Sequence, residues 1–378
     1  MKEYAYSFSY EKHIQAYINL YRELLEHYTL RPIKAMNRIC FITRNYKDTN
    51  SAGNKAKTDM ENILISLGAT NLGLQRTFYK SHIIAFFLNL CGIIKASLLL
   101  SPNDRLVLQY PLKKYYTWIC RIAHLRNAKV ITLVHDLGSF RRRKLTIPQE
   151  IKRLSNTDYI IALNSSMKKW LEEHGCQQSI GTLDIWDYLS NQISQSQHQK
   201  ETKYRIIYAG TLNLRKNTFL VHFPQYINSF DLALYGNGNN LHGIDSLPHI
   251  SYHGFIKSDE LIASVQADFG LVWDGESLDG CTGSWGEYLK YNNPHKTSLY
   301  IRCGLPIIIW KGAALAQFIE QEQIGICITS LTELDSILSM LTEDEYRKMK
   351  QNVLHLSEKL SKGYYFKQAV NKALKILQ

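Results

Sequence analysis

Apolar residues along this chain recur in two rhythms. Runs of about five successive apolar positions mark strands buried on both faces. Between them lie longer stretches whose apolar positions fall at helical spacing. The first run, residues 38–42, leads through Asn50-Ser51-Ala52-Gly53-Asn54 into a helix predicted over 55–67, with Ala56, Met60, Ile63, Leu64 and Leu67 on one face. Runs at 105–110, 129–134 and 159–163 predict further strands, with helices over 115–126 and 165–174. The rhythm lapses at 190–203, a polar stretch without periodicity. It resumes with runs at 204–209, 230–235, 250–253, 268–273 and 306–310, most of them ending at glycine. Ahead of the first strand, Ile14, Tyr17, Ile18, Tyr21, Leu24, Leu25 and Tyr28 predict a helix that Pro32 closes off.

This alternation predicts two doubly wound α/β domains, the GT-B plan of two Rossmann-like units facing a central cleft. The boundaries read as a helical extension over 1–37, a first domain over 38–190, a linker over 191–203, a second domain over 204–360 and a closing helix over 361–378. In the GT-B plan that last helix returns to the first domain.

Charge divides the two halves. Residues 1–200 hold 28 lysines and arginines against 15 carboxylates, and the remainder 17 against 18, so nearly all of the net +12 lies in the first half. Such a balance points to an anionic partner. Nucleic acid is not expected, because no zinc-finger spacing, RNP-like motif or KH-type loop occurs. The seven cysteines form no CxxC pair and most sit in apolar runs, as reduced core thiols do. The N-terminus lacks the apolar region of a signal peptide. The most apolar stretch, 83–100, is interrupted by Asn89, Gly92 and Lys95. A core helix with a connecting segment is expected there, with a shallow membrane-dipping helix as the alternative. The cluster Arg141-Arg142-Arg143-Lys144 reads as a solvated loop or as a contact for lipid diphosphate or an anionic membrane.

Ligands of open α/β sheets bind beyond the carboxyl ends of the strands. The segment Tyr291-Asn292-Asn293-Pro294-His295-Lys296-Thr297-Ser298 predicts a loop and then a helix starting near His295. Exposed N–H groups at a helix start, with a lysine beside them, suit a diphosphate. Lys296 would stabilise the departing nucleoside diphosphate where other enzymes use a metal, and the chain has no Asp-X-Asp motif. In the first domain, His135-Asp136 follows a strand end. Asp136 suits a general base that takes the acceptor proton, with His135 positioning or replacing it; an N-cap aspartate beside a buried histidine is the structural alternative. At Gly53 and Asn54 the backbone leaves room for the donor.

The runs NNPHKTSLYIRCGLPIII, ADFGLVWDG and NSAGNKAKTD together resemble a bacterial group of GT-B glycosyltransferases, over most of residues 38–375. The group includes β-1,6-galactofuranosyltransferases of O-antigen assembly and the glucosyltransferase acting on streptococcal serine-rich adhesins. The resemblance implies that Lys296 contacts the diphosphate, with His295, Thr297 and Ser298 near it and Asn292 and Asn293 lining the same loop. It implies that Tyr235 sits beside uracil, where a ring can stack, and that Thr211 and Arg215, or Lys216 in its place, face the phosphates. Larger retaining GT-B families carry a glutamate pair here, whereas the aligned positions hold Tyr291 and Leu299, which favours inversion.

The expected activity is therefore metal-independent hexosyl transfer from a UDP-sugar to a saccharide or lipid-linked saccharide, with UDP-galactofuranose as first donor and no cofactor. Glucosyl transfer to a glycosylated protein, an inactive GT-B partner subunit and an epimerase on the same scaffold are the rivals. A cytoplasmic enzyme is expected, with peripheral contact at the inner face of the membrane through the basic half and homo-oligomerisation as further partner readings.

Overall fold

The computed structural model describes residues 38–46, 51–112, 115–140, 144–196, 203–213, 216–238, 243–244 and 247–378. The helix expected over 10–28, residues 197–202 of the polar stretch, Arg141 to Arg143 and Arg215 lie outside the described residues.

Two six-stranded parallel sheets form the frame. The first contains β1 (Ile39–Phe41), β2 (Thr70–Asn71), β3 (Arg105–Tyr110), β4 (Lys129–Val134), β5 (Tyr159–Ala162) and β6 (Ser179–Thr182), in the order β2-β1-β3-β4-β5-β6. The second contains β7 (Tyr204–Ala209), β8 (Phe230–Tyr235), β9 (Ile250–Tyr252), β10 (Phe269–Val272), β11 (Ile307–Trp310) and β12 (Gly325–Ile328), in the order β12-β11-β10-β7-β8-β9. Each order reverses direction beside its first strands, which opens a crevice at the carboxyl ends. The central strands are buried along nearly their whole length, as their unbroken apolar runs require.

Each sheet builds its own core, and two pieces of chain join them. Residues 183–192 cross from the first domain to the second. The last helix, Tyr364–Ile376, buries Phe366, Ala369, Val370 and Ala373 in the first core. Asp187 of the crossover caps that helix by accepting from the N–H groups of Tyr365 and Phe366, at 3.1 and 2.7 Å. Burial pushes the Asp187 carboxyl up to about 7, against the pull of these two donors.

The apolar stretch after residue 81 departs from expectation. It forms one helix, His82–Leu99, with no connecting segment inside it. Its C-terminal half packs on the domain through Gly92, Ile93, Ala96 and Ser97, while Ile83, Ile84, Phe86 and Phe87 are exposed. Asn89 is not a flaw in this helix, since its side-chain oxygen accepts the Asn45 N–H at 3.0 Å and ties the helix to the chain after β1.

Glycine is required where β7 and β8 end. Gly236 has φ +147°, and a Cβ there would collide with the Gly210 carbonyl oxygen. That contact is part of a stitched pair of loops, with Gly210 N–H bonded to Tyr235 O at 2.9 Å and Leu212 N–H to Asn237 O at 3.0 Å. Gly236→Ala should lower unfolding free energy by ~2 kcal/mol or more in urea titrations; an unchanged midpoint would refute this reading of the loop.

Candidate functional site

The helix His295–Arg302 begins at the crevice of the second domain. Pro294 stands at its N-cap, and no side chain caps it. Its position is set from behind: Tyr300 is buried, its ring packs flat over Gly270 of β10, and its hydroxyl accepts the Ala209 N–H at 2.7 Å. The glycine inside the ADFGLVW run is therefore a packing requirement, because any side chain at 270 would strike that ring.

This docking brings Lys296 over the end of β7. Its Nζ lies 4.1 Å from the centre of the Tyr208 ring, 3.0 Å from the Tyr208 hydroxyl and 3.1 Å from Asp274 Oδ1. Lys216 reaches the same carboxylate oxygen at 3.4 Å and also faces the Trp285 ring. The Tyr208 hydroxyl donates to Asp274 at 3.0 Å, and the Asn217 amide donates to Tyr208 at 2.5 Å. Two ammonium groups thus share one carboxylate, leaving a surplus of positive charge beside an uncapped helix start. Burial pushes Lys296 down to about 8, and the neighbouring Lys216 adds to the fall while Asp274 resists it. Burial drives Asp274 upward, yet the two lysines outweigh it and hold the carboxyl below its ordinary range.

Two other polar atoms of this helix are buried without a partner, His295 Nε2 and Thr297 Oγ1. Burial, then the charge of Lys55, pushes His295 down to about 3, so the ring is neutral. Ser298 is spent elsewhere: its hydroxyl donates to Trp186 O at 2.7 Å, inside the junction.

Asn293 is turned toward the junction. Its side chain is buried, donating to Leu163 O at 2.8 Å and Asp184 O at 3.0 Å and accepting from Asn164 at 2.8 Å. Its carbonyl accepts the Trp186 indole N–H at 2.9 Å. Asn293 therefore ties the two domains together, and both N–H donors of its side chain are spent on that junction. Asn292 beside it is half-buried.

From the first domain, His135 follows β4. Its Nε2 donates to Gln109 Oε1 at 2.7 Å, while Gln109 in turn donates to Lys57 O at 3.2 Å. The imidazole stacks on Trp186 with ring centres 4.7 Å apart. Burial, followed by Lys57 and Arg44, holds it far below its ordinary pKa, hence neutral. Trp186 also meets His295 edge-on at 6.3 Å, and His295 packs on Tyr188 at 4.7 Å. Lys55, in the helix Ala52–Ser66, sits over the Tyr188 ring at 4.7 Å. His135, His295 and the helix start at Gly53 and Asn54 are thus brought together around the crossover. Gly53 is exposed, and nothing would meet a Cβ there.

Asp136 is half-buried on the same loop, which is rigidly held. Glu150 accepts from Gly138 N–H at 2.8 Å, Ser139 N–H at 2.7 Å and the Tyr110 hydroxyl at 2.8 Å. Leu137 N–H donates to the Tyr288 hydroxyl of the second domain at 3.0 Å. Thr211 is exposed at the end of β7. Tyr235 is half-buried at the end of β8, and one face of its ring is covered by His253 at 4.7 Å.

Asp274, Tyr208 and Asn217 were not singled out by sequence. Asp274 stood in a quoted run directly after a strand, and that position was the available signal. Trp186 and Glu150 had none, because their roles depend on partners far along the chain.

Comparison with known proteins agrees with this frame. The model of the glucosyltransferase 3-like N-terminal domain matches residues 39–185, and that of the C-terminal domain matches 206–373. The chain is 30% identical over 319 residues to the β-1,6-galactofuranosyltransferase WbbI of Escherichia coli (strain K12), covering 84% of this chain and 90% of that protein. It is 26% identical over 253 residues to glucosyltransferase 3 of Streptococcus gordonii, covering 65% and 70%. Two GT-B structures share the fold. Anabaena Alr3699/HepE, in complex with UDP and glucose, gives a TM-score of 0.56 at 12% identity, over 89% of this chain and 99% of that one. The lipopolysaccharide outer core galactosyltransferase WaaB gives 0.59 at 11%, over 89% and 99%.

If Asn293 is a knot and not a ligand contact, Asn293→Ala should lose ~2–4 kcal/mol of stability by urea denaturation. UDP affinity of the folded variant, measured by calorimetry, should stay unchanged; a selective loss of UDP affinity would return Asn293 to the binding site.

Proposed function

We propose, for a chain that belongs to the glucosyltransferase 3-like family of GT-B glycosyltransferases, that it moves a hexose from a UDP-sugar to a saccharide acceptor without a metal ion and with inversion. The observation that carries this is the pair of lysines, 296 and 216, sharing the single carboxylate of Asp274 at an uncapped helix start. A diphosphate supplies the counter-charge that this cluster lacks. As the bond between the sugar and the diphosphate breaks, charge builds on the leaving phosphate, and both lysines and the helix N–H groups are already aimed there.

On the opposite wall, Asp136 takes the proton of the acceptor hydroxyl as its oxygen attacks the anomeric carbon from the face away from the diphosphate. His135, neutral and fixed between Gln109 and Trp186, positions that wall or takes the proton in place of Asp136. Thr211 and Gly53 lie at the phosphate side, and Tyr235 offers the nucleobase the ring face that His253 leaves open. Arg215 is a further candidate for the phosphates.

Galactofuranose is the first donor sugar, on the strength of the relative named a β-1,6-galactofuranosyltransferase. Glucose is the alternative, on the strength of the streptococcal relatives. The acceptor is a growing surface saccharide or its lipid-linked precursor, met at the cytoplasmic face of the membrane. The seven free cysteines suit a reducing compartment.

Asp136→Asn should keep UDP affinity while cutting transfer by about a hundredfold or more; unchanged turnover would remove Asp136 from the mechanism. The lowered lysine gives a second test. An ammonium with its pKa brought down to about 8 is fully charged below that value and neutral above it. UDP affinity should therefore fall as pH rises through about 8. Lys296→Met should weaken UDP by ~2 kcal/mol or more and abolish that pH dependence. A fall that persists in Lys296→Met would assign it to another group.

A further inference from the structure

The helix His82–Leu99 and the loop before it form an apolar prow on the first domain. Phe78, Tyr79, Ile83, Ile84, Phe86 and Phe87 are all exposed, Ile83 to 71% and Phe87 to 51%. They lie in the N-terminal half of the helix and its approach, while the C-terminal half is docked through Gly92, Ile93 and Ala96 and leaves Ile94 and Leu98 exposed on its outer side. The neighbouring helix, Tyr115–Leu125, adds an exposed Trp118. A contiguous apolar projection of this kind is costly in water and marks a surface made for another phase or partner.

Charge decides which. Residues 62–149 contain only two carboxylates, Asp104 and Asp136, against thirteen lysines and arginines. Asp104 is buried and paired with Arg38, and Asp136 lies in the candidate site, so neither offsets the cations outside. Lys80 precedes the helix and Lys95 lies within it. Arg76 and Lys129 are paired with Glu61 and Asp158, but aromatic and branched apolar tips flanked by Lys80 and Lys95, on a stretch so poor in carboxylates, suit a bilayer interface carrying anionic headgroups. The helix is long and apolar enough to cross a membrane by length and composition, but one side of its C-terminal half is committed to the domain, so a position in the interface fits it better than a crossing.

We propose that this prow inserts into the surface of an anionic lipid bilayer and holds the first domain there. The Asn45–Asn89 bond links the inserted helix to the segment after β1. Arg44 in that segment bonds Pro111 O at 3.3 Å, and its charge reaches His135. These contacts join the prow to the segment beside the His135 loop. The inference takes from the proposed function only the place of the acceptor, and its test reads binding without transfer.

The full chain would be sedimented with vesicles of phosphatidylglycerol and phosphatidylcholine, and with phosphatidylcholine alone. Binding is expected with the anionic vesicles and much less with the neutral ones. The double variant Ile83→Glu/Phe87→Glu should lose about tenfold or more in vesicle affinity while keeping its melting temperature and UDP affinity. Lys80→Glu/Lys95→Glu should lose the preference for anionic lipid. No sedimentation of the parent chain, equal sedimentation of the apolar double variant, or a concentration-dependent dimer abolished by that variant without vesicle binding would each overturn the proposal. Loss of transfer with vesicle binding intact would count against the catalytic reading alone.

Discussion

A buried ammonium group must have a counter-charge, and Lys296 has only part of one. Asp274 lies within hydrogen-bond reach of Lys296 and close to Lys216, so its single negative charge is divided between two cations. In a partly water-excluded crevice that imbalance is worth far more than on an open surface. Burial lowers the Lys296 pKa more than the attraction of Asp274 raises it, and Lys216 adds to the fall. The rest of the second domain serves to hold this arrangement. Tyr300 sets the helix against β7 and β10, Tyr208 supplies a ring and a hydroxyl beneath the ammonium, and Gly210 and Gly236 keep the strand ends bare.

The first domain depends on a different constraint, the burial of polar groups at the junction. Asn293, Asn164 and the Trp186 indole exchange hydrogen bonds that water cannot reach, so each must be satisfied by the other domain. Arg302 extends the seam by donating to the carbonyls of Ser190 and Gln192 at 3.0 and 2.8 Å. On the other side, Asp59 accepts the Leu189 N–H at 3.0 Å while pairing with Lys55 at 2.6 Å. The crossover is fastened from both domains, and the His135 loop is fastened through Tyr288. These bonds fix the His135 loop relative to the start of the Lys296 helix, and the proposed displacement needs such a fixed distance.

The frame was legible in the sequence because buried parallel strands write themselves as apolar runs. Nine strands were within reach of that rule, and their observed ends differ from the runs by a residue or two. β2, β6 and β12 fall outside those runs: β2 is only Thr70–Asn71 in a loop of small residues, and Ser179–Thr182 and Gly325–Ile328 are four residues each with a glycine among them. The helix Glu343–Ser361 is legible in the stripe of Tyr346, Met349, Val353, Leu356 and Leu360. Lys296 was found because a lysine at a helix start has local meaning. The bonds of Asn293 across the junction are not legible in the sequence, because its neighbours there are site residues while its partners lie 109 to 130 positions away. Distance along the chain hid Trp186, Glu150 and Tyr288 for the same reason. The apolar stretch at 82–99 was recognised as unusual, but composition alone could not say which side of it would face the domain.

The claim that everything else serves is that the second domain binds a uridine diphosphate through fixed protein charge alone. A thermal-shift panel of nucleotides and nucleotide sugars, run in excess EDTA, tests this most directly. The account predicts a rise in melting temperature with UDP and with one UDP-sugar, undiminished by the chelator. A rise that appears only when a divalent metal is added, or one equally large with non-uridine nucleotides, would contradict it.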